Sequence, residues 1–361
     1  MTKQEFIFGM IGAALWEKPM AHFDMTPWEY KQVMIEAEKQ CTTGMIIDCL
    51  RSNNMGLQKK CVVHMLKLQN TLELENKRLD ANVAKLAQTL KAHDVDFVVV
   101  KGQTIGKLYP KPRLRTPGDI DFYVPKKDFE RAADILTKEW GVTPDDGNDK
   151  IHVNFKYGGN EFEMHSILRY FNRRKDQRAF DDLVDGCERV MVDVDGTEVP
   201  TLEPTVNVFY TFLHMYNHFI KMGVALRQIN DVAMLLHRHK ERIDWERLEK
   251  ILRTFGYMKA FRVFGGIMVD MLGMPAEDFG FKITDNDRRY AKKVMELIWR
   301  HGNWGKYERD MGSGKGWKYS WEKMKLRLST QLTFFRLSPK ENLLLVFYDL
   351  PRKGLKAVKR L

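Results

Sequence analysis

The 361-residue sequence predicts an α+β fold in which a small mixed β-sheet lies between two helical regions. Apolar residues recur at helical spacing up to residue 93 and again from residue 206 onward. Between these stretches, short runs rich in β-branched and aromatic residues are separated by glycine turns, a pattern typical of strands and hairpins. We therefore expect an N-terminal helical region at 1–93, a sheet-containing core at 94–203, and a C-terminal helical domain with a basic tail at 204–361.

The N-terminal region is expected to be helical throughout, without a strand. Residues 6–16 are apolar enough to suggest a signal peptide, but Glu5 stands where a basic segment is required, and the apolar run is too short. We therefore interpret this stretch as the first helix of the core. The apolar positions at helical spacing farther along include Leu72, Leu79, Val83, Leu86 and Leu90.

The core begins with a predicted buried strand at 95–101, which stops at Gly102. A short helix at 103–108 is ended by the prolines that follow it, and a second strand is predicted at 120–124. An amphipathic helix follows at 126–140. Its apolar face consists of Phe129, Ala132, Ala133, Leu136 and Trp140.

Two hairpins complete the predicted sheet region. The first pairs residues 151–157 with 161–165 across a Gly-Gly-Asn turn, and the second pairs 189–194 with 198–202 across an Asp-Gly turn. The sheet is therefore expected to contain both local hairpin pairing and longer-range pairing with the earlier strands.

Composition excludes two classes of protein. Hydrophobic residues make up 44% and charged residues 30%, and no apolar run approaches the ~20 residues that span a bilayer, so we do not expect an integral membrane protein. The cysteines show neither a CxxC pair nor the density of a disulfide framework, which favours a reducing compartment and a cytoplasmic location. They are Cys41, Cys49, Cys61 and Cys187.

The net charge of +11 is concentrated near the C-terminal end. Residues 311–361 contain twelve Lys and Arg against three acids. A basic segment of this kind is either a solvated tail or a contact surface for an anionic partner, such as nucleic acid or a membrane surface.

Asp119 and Asp121 stand two residues apart at the start of the second predicted strand. Because side chains alternate along a strand, both carboxylates should point to the same side. Two adjacent like charges are usually neutralised by a hard divalent cation bound through carboxylate oxygens. We therefore predict a Mg²⁺-dependent site for phosphates, the alternative being a solvated Asp-x-Asp turn.

The strand predicted at 161–165 places Glu161, Glu163 and His165 on one face and apolar residues on the other. If this strand lies beside that of Asp121, Glu163 supplies a third carboxylate. Three carboxylates can hold two Mg²⁺ ions about 3.5 to 4 Å apart, which clamps the attacking and leaving oxygens of a phosphoryl-type displacement. The alternative for Glu163 is an exposed strand acid.

Four segments together resemble the uncharacterised bacterial nucleotidyltransferase family of the polymerase-beta-like nucleotidyltransferase superfamily. They are Lys101-Gly102-Gln103-Thr104, Leu108-Tyr109-Pro110, Arg115-Thr116-Pro117-Gly118-Asp119-Ile120-Asp121 and Phe162-Glu163-Met164-His165. The later runs Arg227-Gln228-Ile229-Asn230-Asp231 and Ile243-Asp244-Trp245 are similar to the family's helical half. The resemblance covers residues 95–251 and is specific as a set.

The resemblance implies a nucleotidyltransferase-like core in which an acceptor oxygen attacks the α-phosphate of a nucleoside triphosphate, ATP by default, and expels pyrophosphate. It implies that Asp119, Asp121 and Glu163 hold two Mg²⁺ ions, with Mn²⁺ as a substitute. Many members of the superfamily have Gly-Ser at the first turn, whereas this chain has Gly102-Gln103. The candidates for phosphate contact are Lys101, Gly102, Gln103, Thr104, Arg115 and Gly118. The acceptor is not identified by these motifs.

Two pairs of polar residues have i, i+4 spacing on predicted helices. His214 and His218 fit a zinc site, but no third ligand is evident, so packing against the sheet is the preferred interpretation. Arg227 and Asp231 are expected to form an intrahelical ion pair. Secondary candidates for the functional site are His165, His218 and Arg227. Residues 312–316 resemble a phosphate loop but lack two of its required residues, which favours a flexible turn.

Two other functions compete with nucleotidyl transfer. A glycosyltransferase could use Asp-x-Asp to bind a metal and a nucleotide sugar, but it would need alternating strands and helices before the motif. An inactive nucleotidyltransferase-like module could instead bind RNA or protein through the basic C-terminal end. Metal-dependent binding of a triphosphate distinguishes an enzyme from such a module.

Overall fold

The structure is a computed structural model that describes residues 2–145, 152–221, 223–302, 325 and 328–344. It confirms the α+β class. The α-helices are α1 (Lys3–Leu15), α2 (Pro27–Lys39), α3 (Thr43–Ser52), α4 (Lys59–Ala92), α5 (Gly102–Gly106), α6 (Lys126–Trp140), α7 (Arg174–Asp185), α8 (Pro204–Lys221), α9 (Leu226–His239), α10 (Trp245–Phe255), α11 (Met258–Gly266), α12 (Asp285–His301) and α13 (Pro339–Leu344). The strands are β1 (Asp24–Met25), β2 (Gly56–Leu57), β3 (Val98–Val100), β4 (Ile120–Tyr123), β5 (His152–Tyr157), β6 (Asn160–His165), β7 (Arg189–Val194) and β8 (Thr197–Leu202).

The central sheet has four strands in the order β3-β4-β6-β5. The pairs β3·β4 and β5·β6 are antiparallel, whereas β4 and β6 are parallel, so the sheet is mixed as predicted. Both predicted hairpins are confirmed, since β5 pairs with β6 and β7 pairs with β8. The parallel register places Asp121 directly opposite Glu163, which brings the two predicted acidic strands side by side.

The two faces of the central sheet differ in polarity, as alternation along the strands requires. One face carries Phe122, Phe162 and Met164, all inaccessible to solvent, and packs against α4 and α6 in an apolar core. The other face carries Asp121, Glu163 and His165. The apolar face therefore anchors the sheet and leaves the acidic face for a ligand.

A second apolar core joins the N-terminal helices to the C-terminal helices. It contains residues of α1, α2 and α3 together with residues of α8, α9, α11 and α12. A hydrogen bond from Trp16 Nε1 to the carbonyl of Leu272 (2.7 Å) links the two ends of this core. Helices that precede the sheet region in the chain and helices that follow it thus share one apolar core.

The structure differs from the sequence-based expectation in several details. The N-terminal region is not entirely helical, because β1 and β2 pair as a parallel two-residue ladder. Two residues per strand are too few to give a recognisable alternation. Strand β3 is shorter than predicted, and α11 ends in a π-helical turn at Ile267–Met271. The first predicted helix is confirmed as α1.

The remaining predictions concern the basic C-terminal segment, membrane-spanning helices and the cysteines. The stretch 312–316 and most of the basic segment 311–361 lie outside the described residues. Among the helices that the structure describes, none combines the length and the apolar character needed to cross a membrane. All four cysteines are buried free thiols.

Candidate active site

The loop before β4 is held in place from two sides. On one side, Asn76 of α4 donates its amide to the carbonyls of Arg113 and Arg115, both at 2.9 Å. On the other side, Arg227 of α9 donates Nη1 to the carbonyl of Pro117 at 2.9 Å. These contacts fix the segment that leads directly into Asp119 and β4.

The turn between β3 and α5 lies beside this loop. Lys101 has φ +59° and ψ −144°, and Gly102 has φ +44°. Such a conformation costs a non-glycine residue on the order of 1–3 kcal/mol and is common at functional sites. The strained backbone directs Lys101 Nζ to within 2.9 Å of Asp121 Oδ2. A Cβ on Gly102 would lie 3.5 Å from the carbonyl oxygen of Asp119, so turn and loop are in close contact.

Asp121, Glu163 and His165 form one polar cluster on the acidic face of the sheet. His165 Nε2 lies 3.1 Å from Asp121 Oδ1 and 3.5 Å from Glu163 Oε2. One ligand-type atom from each of the three residues lies within 4.8 Å of the others. Their arrangement is a consequence of strand register and is capable of binding a metal ion.

The cluster shifts the ionisation of its own members. Burial alone would favour protonated Asp121, but the positive charge of Lys101 and the hydrogen bond from His165 outweigh it and hold the pKa of Asp121 well below its usual range. The hydrogen bond with His165 lowers the pKa of Glu163. Burial opposes protonation of His165, yet its bonds to both carboxylates raise its pKa. Both carboxylates are therefore ionised at neutral pH.

Asp119 lies at the mouth of the same cleft and is exposed. The surrounding protein partly removes its carboxyl group from water, and the neighbouring charge of Asp121 acts in the same direction, so its pKa is raised. The charge of Lys101 opposes this shift. A cation bound nearby would lower the pKa of Asp119, because an opposite charge favours the ionised carboxylate.

The carboxylates line a cleft of about 370 Å³ between the sheet and the helices α8 and α9. We call its two sides the sheet wall, which contains Lys101, Asp119, Asp121 and Glu163, and the helical wall. The helical wall contains Arg115, Thr211, His214, His218, Arg227, Gln228 and Asp231. Arg115 lies in the loop before β4, but we assign it to the helical wall because it forms an ion pair with Asp231 of α9.

The helical wall contains a buried ion pair. Arg115 donates Nε and Nη2 to the two carboxylate oxygens of Asp231, at 2.8 and 2.7 Å. Tyr109 donates its hydroxyl to the same carboxylate at 2.7 Å. The prediction of an Arg227–Asp231 pair is wrong, because Asp231 bonds with Arg115 and Arg227 reaches the backbone of residues 116 and 117.

The two helical histidines are neutral. Burial and the nearby charge of Lys101 lower the pKa of His214 well below its usual range and that of His218 to about 4. Their rings are 4.4 Å apart, and Lys101 Nζ lies 3.3 Å from His214 Nδ1. Among the described residues, the group of three possible metal ligands is the Asp121 cluster and not this pair, and both histidines line the cleft.

Gln103 and Thr104 are candidates for phosphate contact in the sequence, but neither residue lines the cleft, which corrects that part of the prediction. Gln103 is buried and donates its amide to Asp80 of α4. Thr104 donates its hydroxyl to the carbonyl of Lys101 at 2.9 Å and thereby stabilises the turn. The first turn of α5 rotates both side chains away from the carboxylates. Of the predicted phosphate candidates, Lys101, Gly102, Arg115 and Gly118 line the cleft.

The comparison with known families agrees with this geometry. Residues 29–273, more than half of the chain, match the family described as uncharacterised nucleotidyltransferase. The chain belongs to this family. The resemblance inferred from residues 95–251 is therefore confirmed, and the family match extends into α2.

Among solved structures, an antigenic nucleotidyltransferase-like protein from Paracoccidioides brasiliensis is similar over 55% of this chain and 93% of its own. The sequence identity is 17% and the TM-score is 0.36. A comparison with curated proteins gives no match.

Several residues that line the cleft are not predicted by the sequence motifs. Thr211 is absent from the motifs, Gln228 occurs in them only as part of the 227–231 run, and His214 is expected only to bind zinc or to pack against the sheet. A pattern that indicates them lies on α8, where Thr211, His214 and His218 recur at helical spacing on a largely buried helix that is rich in apolar residues. Polar residues at helical spacing on a buried helix indicate a face directed towards a cavity.

Proposed function

We propose that this protein transfers a nucleoside monophosphate from a Mg²⁺-bound nucleoside triphosphate, ATP by default, to a hydroxyl or phosphate acceptor, with release of pyrophosphate. The observation that supports this most is the register of β4 and β6, which sets Asp121 opposite Glu163 in a cleft that also contains Asp119 and Gly102. Family membership supports the reaction class.

The residues of the sheet wall fit a divalent cation. Asp119, Asp121 and Glu163 would hold it, because carboxylate oxygens are the ligands that Mg²⁺ prefers, and the imidazole of His165 would also suit Mn²⁺. Burial and, next, the neighbouring charge of Asp121 raise the pKa of Asp119, and a bound cation would oppose that shift. When bound, Mg²⁺ stabilises the negative charge that develops on the phosphate oxygens.

Side chains and backbone of the cleft would position the substrates and set the charge of the carboxylates. Lys101 keeps Asp121 ionised, and Glu163 is positioned on the neighbouring strand to accept the proton of an acceptor hydroxyl. Because Gly102 has no side chain, a phosphate can approach the backbone closely at this turn. The walls of the cleft restrict how a bound triphosphate can lie.

The competing functions have less support. A nucleotide-sugar site would need repeated strand-helix units before Asp119. Among the described residues up to residue 97, the only strands are β1 and β2, which have two residues each, and the other elements are helices. The inactive-module alternative depends on the basic C-terminal end, where an anionic partner is a proposal from charge alone. A cytoplasmic location is proposed from the cysteine pattern.

Product analysis tests the proposal. The purified full chain is incubated with each of the four ribonucleoside triphosphates, Mg²⁺ and a panel of hydroxyl and phosphate acceptors. Release of pyrophosphate and formation of a nucleotidylated product support nucleotidyl transfer. Release of a nucleoside diphosphate from a sugar donor would establish the glycosyltransferase alternative. A matched Asp121→Asn variant identifies contaminating activity, because it must lose the product.

A further inference from the structure

The two walls of the cleft carry opposite charge. The sheet wall has the three carboxylates of Asp119, Asp121 and Glu163 against one lysine, Lys101. On the helical wall, two arginines face one carboxylate, that of Asp231. A ligand that matches this cleft has cations at one side and negative charge at the other.

The helical wall also has nitrogen atoms that lack partners. Arg115 Nη1, Arg227 Nε and His218 Nδ1 are each buried without a hydrogen-bond partner among the described residues. Arg115 as a whole is 4% exposed. Buried polar groups are nearly always hydrogen-bonded, and leaving one unpaired costs about 1–3 kcal/mol. All three atoms belong to residues that line the cleft, which indicates that a ligand supplies the missing hydrogen-bond partners.

We propose that the helical wall is the binding site for the terminal phosphates of a polyphosphate ligand, with Arg115 Nη1, Arg227 Nε and His218 as the hydrogen-bonding groups. In combination with the proposed function, on which the identity of the ligand rests, the ligand is the β- and γ-phosphates of the triphosphate. The leaving pyrophosphate is then held by α8, α9 and the loop before β4, opposite the carboxylates.

The three groups are held by different parts of the fold, which gives the site a fixed shape. The pair with Asp231 occupies Nε and Nη2 of Arg115 and leaves Nη1 as the remaining donor. The bonds of Arg227 to the carbonyls of residues 116 and 117 use Nη1 and leave Nε. His218 is carried by α8. Each guanidinium is thus anchored through some of its nitrogen atoms and keeps another without a partner among the described residues.

The carboxylate of Asp231 does not prevent anion binding at this wall. Its charge is balanced by Arg115, and it also accepts a hydrogen bond from Tyr109. Arg227 has no carboxylate partner among the described residues and uses only neutral carbonyl acceptors. A phosphate oxygen is therefore the first negatively charged partner available to it.

Calorimetric titration with inorganic tripolyphosphate in the presence of Mg²⁺ tests the site without a nucleoside or a chemical step. We expect saturable binding to the full chain. Arg227→Lys keeps a cation but removes Nε, and His218→Ala removes the imidazole; each should weaken binding by about tenfold, the loss of one hydrogen bond to a charged group. His218→Asn should restore much of the affinity, because its amide can occupy the position of Nδ1.

Arg238→Lys is the matched control for Arg227→Lys, since Arg238 lies on the same helix but outside the cleft. It should leave the affinity unchanged. Urea unfolding of each variant separates lost binding from lost folding, and the comparison of His218→Asn with His218→Ala remains decisive if Arg227→Lys is unstable.

Equal affinity of the wild type, His218→Ala and Arg227→Lys for tripolyphosphate, or no binding at all, would overturn the site. The proposed function has a separate readout. Tripolyphosphate binding that depends on the helical wall, without pyrophosphate release from any triphosphate, supports the site and counts against nucleotidyl transfer. Pyrophosphate release that is unchanged in both variants supports nucleotidyl transfer and contradicts the site.

Discussion

The sheet wall and the helical wall both contain carboxylates beside cations, but their polar groups are satisfied in different ways. On the helical wall, Asp231 is enclosed by Arg115 and Tyr109, and its negative charge is balanced within the protein. On the sheet wall, Asp121 has Lys101 and His165 as partners, whereas Asp119 and Glu163 leave an excess of negative charge. The comparison indicates that Asp231 contributes to the stability of the fold, whereas the acidic residues of the sheet wall leave a negative charge that a bound cation would balance.

The largest expected effect is on folding, at the helical wall. Asp231→Ala leaves the guanidinium of Arg115 buried without its ion-pair partner, which should lower the free energy of unfolding by about 3–5 kcal/mol. Urea denaturation followed by circular dichroism measures the change. A loss below about 1 kcal/mol would contradict the structural role of this pair.

The Glu163→Gln substitution on the sheet wall should weaken metal binding and leave folding nearly unchanged. Glu163 is half-buried and belongs to the ligand-facing surface, so we expect little change in the free energy of unfolding. The affinity for Mn²⁺ should fall by at least about tenfold, because a carboxylate ligand is lost. Electron paramagnetic resonance of free Mn²⁺ gives the affinity. An unchanged affinity would remove Glu163 from the site.

The pH dependence of stability and of Mn²⁺ affinity tests the role of His165 beside the carboxylates of the sheet wall. Its pKa is raised in the folded protein, so its contribution to stability is fully present below its unfolded pKa of about 6.5 and is lost as the pH rises through the folded value. Mn²⁺ competes with the proton on His165, so its affinity should increase over the same range by at most about tenfold per pH unit.

His165→Gln is the control for this pH effect. It should flatten both the loss of stability and the gain in Mn²⁺ affinity above pH 6.5. A wild-type affinity that does not change between pH 6 and pH 8 would contradict the coupling between His165 and the carboxylates.

The smallest expected effect concerns the contact between the walls at Gly118. A Cβ there would lie 3.1 Å from Arg227 Nη1, so Gly118→Ala should displace the guanidinium by a few tenths of an ångström. We expect tripolyphosphate affinity to fall by about twofold to fivefold, with folding nearly unchanged. Arg238→Lys is again the control. Another glycine such as Gly141 is not suitable, because its φ of +64° would strain an alanine.

The sheet wall could be predicted from the sequence to a much greater extent than the helical wall. Strand alternation put Asp121 on one side of β4 and Glu163 on one side of β6, and the family resemblance linked them. The boundaries of α6 were predicted to the residue. These features depend on local spacing, which a sequence displays directly.

The helical wall depends on contacts between residues far apart in the chain. Asp231 has an arginine four residues before it, and local spacing favoured that pair; the observed partner, Arg115, lies 116 residues away. For Gln103, the polar residue after Gly102 suggested phosphate contact, but Asp80 of α4 provides a buried acceptor for its amide. Long-range pairing of this kind overrides local rules and needs the folded structure.

The central claim is that the acidic sheet wall binds a metal-bound nucleoside triphosphate. Isothermal titration calorimetry with each of the four ribonucleoside triphosphates, with and without Mg²⁺, tests it most directly on the wild type and on the Asp119→Asn, Asp121→Asn double variant. We predict Mg²⁺-dependent binding of at least one triphosphate to the wild type and its loss in a folded double variant. No binding of any triphosphate to the wild type, or binding that persists unchanged in the double variant, would contradict the claim.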